Sequence, residues 1–364
     1  MKKEVISDKQ GISIVILYMC GTSTIVVFGL LAEMDIWIAN ILAVSLAIIM
    51  GLLIGYIQSV FPDKDIFHIS IKCYGKFFGA IVILLFAWFA FHEATLVAIN
   101  MQTFLGETAV TDTPYIMLII PFIFVCAWAI KEGIEVIGRW SKSCAIIFII
   151  SIVSIVILLI PEMDHSNVQP ILYKGIKPVW DGTFAAFTFP FAEIMMFPMF
   201  LYNFKTKKSS YKIYTLGLLI SGIIVIMTSL TTVLVLGIDI ATGLYFPTFH
   251  AVKQISVGET LQRMEVLAAL IFILGAFLKI SVLLLGTCKG VARIFNFSDY
   301  RFIVTPMALL MINLSHLEFS GRVAFSSWVF EIYPIYTFSF EIALTLIILI
   351  PVVIKKKLRR TPAA

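Results

Sequence analysis

A carboxylate lies between two prolines in the apolar segment TFAAFTFPFAEIMMFPMFLYNF, residues 183–204. Pro190 and Pro198 each remove a backbone N–H donor, which leaves a carbonyl four residues earlier without its helical partner. Free carbonyls and the carboxylate of Glu193 are costly in hydrocarbon unless they line a cavity enclosed by protein. The segment therefore predicts a helix that is interrupted from Phe189 through Pro190 to Glu193, and a ligand-binding site at the interruption.

A second weak point lies near the N-terminus, where YMCGTSTIVVFG places Gly21, Thr22, Ser23 and Thr24 within an aliphatic stretch. Glycine lowers helix stability, and hydroxyl side chains compete for backbone partners. The half-helix that follows such a break would point N–H groups and a positive dipole end at the cavity, which suits a carboxylate ligand. We assign these four residues to the ligand site and expect Gly21 to be intolerant of bulk, because the unwound backbone must approach the ligand closely.

Two adjacent ionisable residues, His92 and Glu93, lie in a third apolar segment, AFHEATLVAINMQTF. Neighbouring positions on a helix point about 100° apart, so the pair is a poor catalytic dyad. A buried carboxylate is costly, which makes Glu93 a candidate ligand-binding residue. His92 is either a satisfied core histidine or a charge-coupling residue.

Lys279 is the single basic residue well inside an apolar segment. It either extends to the cytoplasmic interface, roughly 12 Å away along a helix, or pairs with a buried carboxylate. We favour a charge-coupling role with Glu93 or Glu193 as the partner. Glu341 falls near the middle of the last apolar segment, unless that segment begins nearer Pro334, which would move the carboxylate toward outside water.

The composition indicates the elements that must position these side chains. The chain has 364 residues, of which 60% are hydrophobic and 13% charged, with a mean hydropathy of +1.01. Long apolar runs of this kind predict an all-α polytopic membrane protein with about ten transmembrane helices in a single domain, residues 1–364. The expected spans are about 11–32, 36–58, 77–103, 115–131, 143–160, 183–204, 212–236, 264–287, 302–317 and 329–354.

The distribution of basic residues predicts the orientation. With the N- and C-termini in the cytoplasm, 21 of the 27 Lys and Arg residues fall in inside segments, as the positive-inside rule requires. The basic excess then faces anionic lipid, so it gives no reason to expect nucleic acid as a partner.

The two interrupted segments are the first and the sixth of the ten. Interrupted helices at matching positions of two halves are typical of the binding site of an inverted-repeat transporter. The spans accordingly divide into repeat one, about 11–160, and repeat two, about 183–354. No metal cluster, phosphate-binding loop or nucleophile–base pair stands out, so we expect no catalytic residues, no metal and no cofactor, and the chain is not predicted to be an enzyme.

Several features together resemble the spore germination permease family, the B subunits of nutrient germinant receptors in the amino acid–polyamine–organocation superfamily. These features are ISDKQG (Ile6–Gly11) before the first span, the GTST break, the ten spans and the short basic tail. The resemblance implies a five-plus-five inverted repeat, with a small germinant, often an amino acid, held between spans 1 and 6 with help from spans 3 and 8. It also implies A and C subunits as partners and the spore's inner membrane as the location.

The first break departs from the superfamily's pattern, because only Gly21 is glycine where a glycine-rich stretch is usual. This departure bears on how closely a substrate can approach the backbone. Two functions remain open. The chain is either a subunit that senses the germinant and triggers germination, or a proton- or cation-coupled amino acid permease with true turnover. Both share one fold, so fold alone does not choose between them.

Overall fold

The structure is a computed structural model that describes residues 5–108, 113–204, 206, 208–255 and 264–360. Within these ranges the chain is helical, apart from loops and one isolated β-bridge between Ile6 and Phe204. Five basic residues counted for orientation lie outside the described residues: Lys2, Lys3, Lys205, Lys207 and Arg263.

The first half of the chain begins at a capping box, in which Ser7 and Gln10 satisfy each other's backbone N–H groups. Its elements are α1 (Asp8–Ser23), a 3-10 helix (Phe28–Asp35), α2 (Ile36–Val60), α3 (Ile66–Thr108), α4 (Tyr115–Glu132) and α5 (Ile134–Leu159).

The second half begins with a short helix that is again followed by a 3-10 helix. Its elements are α6 (Lys177–Thr188), a 3-10 helix (Phe191–Met199), α7 (Ser209–Leu236), α8 (Ile238–Gly243), α9 (Pro247–Val252), α10 (Glu265–Ile294), α11 (Arg301–Leu317), α12 (Arg322–Glu331) and α13 (Tyr333–Arg360).

Among the described residues, seven helices are long and apolar enough to cross a membrane, or eight if α11 and α12, bent by 99°, form one span. The helices α1 and α6 have only 16 and 12 residues because each stops at an interruption. The predicted all-α polytopic architecture with interrupted first and sixth helices is thus confirmed.

The interruption in the sixth segment lies where the prolines predict it. The helix α6 ends at Thr188, Phe189 is extended (φ −135°, ψ 119°), and the 3-10 helix begins at Phe191. The first interruption lies later than expected, because α1 continues through Gly21 to Ser23. The Ser23 and Thr24 hydroxyls donate to the carbonyls of Met19 and Cys20 in the last turn, and the chain becomes extended only at Val27.

The outward faces of the helices carry large exposed apolar side chains, including Phe77 and Phe124, which are 74% and 72% exposed. Such a surface would be anomalous in water and is what a lipid-facing surface requires. The ionisable residues Glu93, Glu193, Lys279 and Glu341 are buried instead. The fold therefore separates a lipid-compatible exterior from a charged interior.

Candidate functional site

The centre of the site is a buried ion pair that joins α10 to the interrupted sixth segment. The Lys279 Nζ atom, on α10, lies 2.8 Å from Oε1 and 2.7 Å from Oε2 of Glu193, on the 3-10 helix that follows the sixth interruption. Both side chains are completely buried. The lysine thus pairs with a carboxylate and does not extend to the interface, and Glu193 is the direct partner.

Aromatic rings surround the ammonium on the sides that the carboxylate leaves open. Its Nζ atom lies 4.1 Å from the ring centre of Phe189 and 5.0 Å from that of Tyr18. Aromatic faces attract cations, more strongly where water is excluded. Residues from α1, α10 and the sixth segment therefore hold this one positive charge together.

Tyr333, at the start of α13, connects the ion pair to the carboxylate of Glu93. Its hydroxyl donates to Glu93 Oε2 at 2.8 Å and lies 3.3 Å from Glu193 Oε1. Among the described residues, Glu93 Oε1 has no hydrogen-bond partner. A buried acceptor of this kind is costly unless something binds it.

A small cavity lies beside Glu93 between the two interruptions, with a volume of about 10 Å³. That volume is about the minimum for one water molecule. Residues from the first, third, sixth and last segments line it: Thr22, Val26, Phe28, Glu93, Leu96, Val97, Asn100, Phe189, Val329 and Tyr333. The Thr22 hydroxyl, like Glu93 Oε1, lacks a hydrogen-bond partner in the described part of the chain.

Aromatic side chains close the cavity. The ring of Phe28 lies 4.5 Å from that of Phe189 and 5.9 Å from that of Tyr333, measured between centres. Phe330, at the end of α12, lies 5.8 Å from Phe28. A molecule larger than about one water therefore fits only if these rings, two of which α12 and α13 carry, move.

The residues predicted from the first segment have different positions in the structure. Thr22 lines the cavity, whereas the hydroxyls of Ser23 and Thr24 are used within α1. Gly21 lies at the crossing of α1 and α10, where an added Cβ atom would be 2.3 Å from the Cα atom of Gly275. The structure thus provides a reason for the expected intolerance of bulk at Gly21 that is different from ligand approach.

The residues predicted from the sixth and eighth segments come together as expected. Phe189 lines the cavity, Pro190 precedes the 3-10 helix directly, and Glu193 pairs with Lys279. These side chains belong to segments that are far apart in sequence from Thr22 and Glu93. One compact region therefore contains most of the predicted site.

His92 points away from this region. Its Nδ1 atom lies 2.9 Å from the Tyr336 hydroxyl, and its Nε2 atom lies 2.5 Å from Oε1 of Glu318. Its ring stacks on Trp88 at 5.7 Å. The structure gives His92 a set of partners separate from those of Lys279.

Sequence reasoning missed two tyrosines in the site, Tyr18 and Tyr333, and left Glu341 undecided. A signal for α13 was present: Tyr333, Thr337, Glu341 and Thr345 recur every four residues in an apolar helix. This spacing places them on one helix face, and all four are buried. No comparable pattern marks Tyr18.

The all-helical bundle, with a charged site between two interrupted helices, defines a membrane protein of the secondary-transporter fold class. The structure resembles that of a nucleobase-cation-symport-1 family transporter in a closed conformation with bromovinylhydantoin bound. The TM-score is 0.71 at 14% sequence identity, covering 94% of this chain and 77% of the transporter. Within this class, the family described as spore germination protein matches residues 5–320, and the chain belongs to that family.

Curated relatives carry the same description. The chain is 27% identical over 367 residues to spore germination protein KB of Bacillus subtilis (strain 168), covering 99% of this chain and 97% of the relative. It is 20% identical over 253 residues to spore germination protein XB of Bacillus anthracis, covering 69% and 70%. The similarity to the first of these extends over nearly the whole chain.

Proposed function

We propose that this chain is the membrane subunit of a spore nutrient germinant receptor that binds a small, amino-acid-like germinant and triggers germination. The observation that carries the proposal is the cavity between the two interrupted helices, where Glu93 Oε1 and Thr22 Oγ1 have no partner among the described residues. The membership of the family and the similarity to spore germination protein KB support the receptor role.

The chemistry of the cavity fits a zwitterion. The germinant's ammonium group is bound by the free oxygen of Glu93, since a charge-assisted hydrogen bond in a dry site is strong. Its carboxylate lies toward Thr22 and the first interruption, where the hydroxyl donates. The apolar walls formed by Val26, Leu96 and Val97 surround the germinant side chain.

Binding acts by favouring one of two arrangements of the site. The cavity holds only about 10 Å³, so a ligand binds a state in which Phe28, Phe189 and Tyr333 have separated. A ligand shifts an equilibrium only through its different affinities for the two states. Movement of the rings and of α12 transmits the signal to the rest of the receptor.

The receptor context follows from the resemblance to the germination permeases. The partners of this chain are the A and C subunits, and the complex lies in the inner membrane of the spore. Both termini of the chain are cytoplasmic. The excess of Lys and Arg on that side of the predicted topology supports this orientation.

A second candidate is a proton- or cation-coupled amino acid permease. Three buried carboxylates, Glu93, Glu193 and Glu341, against the single ammonium of Lys279 favour it, because transporters use such groups to carry protons. A sensor needs only to bind, whereas a permease must also release its ligand on the other side. Uptake of radiolabelled amino acids into liposomes that contain this protein alone distinguishes the two, since only the permease accumulates label.

Germination of spores that lack other receptors tests the receptor role directly. Spores expressing this chain with its A and C subunits are exposed to the standard amino acids one at a time, and loss of refractility is recorded. Glu93→Gln is expected to abolish the response, while Glu162→Gln, which alters an exposed carboxylate just after α5, leaves it intact. A chain that supports no germination with any amino acid, or an equal response in both variants, contradicts the proposal.

A further inference from the structure

A fourth ionisable group is buried near the ion pair with no partner to bind its charge. Glu341 on α13 is 0% exposed, and neither of its carboxyl oxygens has a hydrogen-bond partner among the residues that the structure describes. It interacts electrostatically with Glu193, Glu93 and Lys279. The hydroxyl of Thr345, one helical turn further along, also has no partner within these residues.

The charges around Glu341 do not balance if every group is ionised. Three carboxylates would face one ammonium in a region that is buried away from bulk solvent. Leaving a carboxylate buried and unpaired costs several kcal/mol, and in practice such a group becomes neutral instead. Two protons bring the cluster of Glu93, Glu193, Glu341 and Lys279 to electrical neutrality. Since Glu193 already accepts the ammonium, the protons belong to Glu93 and Glu341 while the site holds no ligand, and a bound ammonium group would take the place of the proton on Glu93.

In the described part of the chain, the helices that pack on α13 place no further charged side chain beside Glu341. The groups that interact with Glu341 also include the Tyr18 and Tyr333 hydroxyls. On α3, His92 is bound to Glu318 and Tyr336, and the other charged side chains outside the cluster either have partners of their own or are exposed: His68 with Asp65, Glu107 with Arg322, and Lys72 and Lys76 at the surface. The described part of α2 has Tyr56 as its one ionisable side chain. The remaining charged residues of α6 and α12 are exposed: Lys177, Asp181, Arg322 and Glu331.

The surroundings of Glu341 are poorly suited to binding a metal ion or an alkali cation. Calcium and magnesium take about six or more oxygen ligands, counting carbonyls and waters, whereas the side chains of Glu341 and Thr345 supply three oxygen atoms. The ammonium of Lys279 would repel a second cation nearby. Among the described residues, no group of three or more His, Cys, Asp or Glu side chains is placed to hold a metal ion.

We infer that Glu341 is a proton-binding site, a carboxylic acid at neutral pH that keeps the buried cluster around the Lys279–Glu193 pair uncharged. The proton compensates a charge that no side chain offsets. Any movement of α13 that brings Glu341 to water, or brings Lys279 closer to it, then releases the proton. This inference goes beyond the proposed function, because it concerns a proton and does not depend on the identity of a germinant.

Infrared spectroscopy of the purified protein in detergent tests the inference without any germinant. A protonated buried carboxyl group gives a C=O stretching band above the amide I region that shifts to lower frequency in D₂O. We expect this band at neutral pH, and we expect Glu341→Gln to remove one component of it. The matched control, Glu331→Gln, alters an exposed side chain outside the buried cluster and is expected to leave the band unchanged.

Two outcomes overturn the inference. If the parent and Glu341→Gln have the same carboxylic acid band, Glu341 is ionised. If sodium or potassium chloride removes from the parent's spectrum the component that Glu341→Gln also lacks, the site binds a cation in place of the proton. Should Glu341→Gln fail to fold, Glu341→Asp is used instead, and its band is expected to move in frequency, whereas an unchanged band contradicts the inference. None of these results bears on germinant binding, so the proposed function is tested separately.

Discussion

The ammonium nitrogen of Lys279 lies 2.8 Å from Oε1 of Glu193, and the two side chains come from segments 86 residues apart in the chain. Each residue alone would be costly at membrane depth. Together they neutralise each other and join α10 to the interrupted sixth segment. The pair therefore determines how several mutations should behave.

Lys279→Met is expected to destabilise the protein by about 3–5 kcal/mol, because it leaves the Glu193 carboxylate buried without its counter-charge. Glu193→Gln in the same chain should restore much of the loss, and Glu93→Gln should restore less. Yield and thermal unfolding in detergent measure both effects. If the single Lys279→Met variant is as stable as the parent, the ion pair contributes nothing to the stability of the protein.

If the chain acts as the proposed germinant receptor subunit, germination through it is expected to be indifferent to replacing sodium with potassium. In the superfamily that the chain resembles, a sodium ion often lies between spans 1 and 8. Here the Lys279 ammonium lies 5.0 Å from the ring of Tyr18 on α1 and supplies a permanent positive charge. Spore germination rates in matched sodium and potassium buffers check this, and strict dependence on sodium would contradict it.

Gly21→Ala and Gly275→Ala are each expected to destabilise the protein by about 1–3 kcal/mol, the usual cost of adding an atom to a well-packed core. The reason is the close crossing of α1 and α10, where each added Cβ atom would overlap the other glycine's Cα atom. Gly243→Ala is the control, since its added Cβ atom meets nothing within 4 Å. A Gly21→Ala variant that is as stable as the parent but lacks a germinant response would indicate instead that the backbone contacts the ligand.

Tyr333→Phe is expected to cost about 1 kcal/mol of stability, which is typical of a hydrogen bond within a membrane protein. It should also weaken the germinant response, because the hydroxyl positions Glu93 through a 2.8 Å bond. Tyr336→Phe removes the hydroxyl that contacts His92 and is expected to leave the response unchanged. Dose–response curves of the two variants make the comparison, and equal curves would exclude a special role for Tyr333.

The sequence alone was sufficient to predict the all-helical membrane architecture and the interruption of the sixth helix. Membrane insertion depends on the hydropathy of each segment, and a proline acts on the carbonyl of its own helix, so both effects are local in sequence. For the same reason Glu93, Glu193 and Lys279 could be recognised as unusual. The free-energy cost of burying an ionised side chain comes from the bilayer, and it is the same whichever residue becomes the partner.

Only the tertiary structure decided which of these groups meet. The strength of an ion pair depends on the distance between two side chains, and nothing in the sequence distinguishes Glu193 from Glu93 as the partner of Lys279. The later interruption of α1 depends on hydroxyls that donate to the preceding turn, and the role of Gly21 depends on Gly275 in a distant helix. The position of the cavity and its closure by aromatic rings therefore depend on packing between segments, which no single segment encodes.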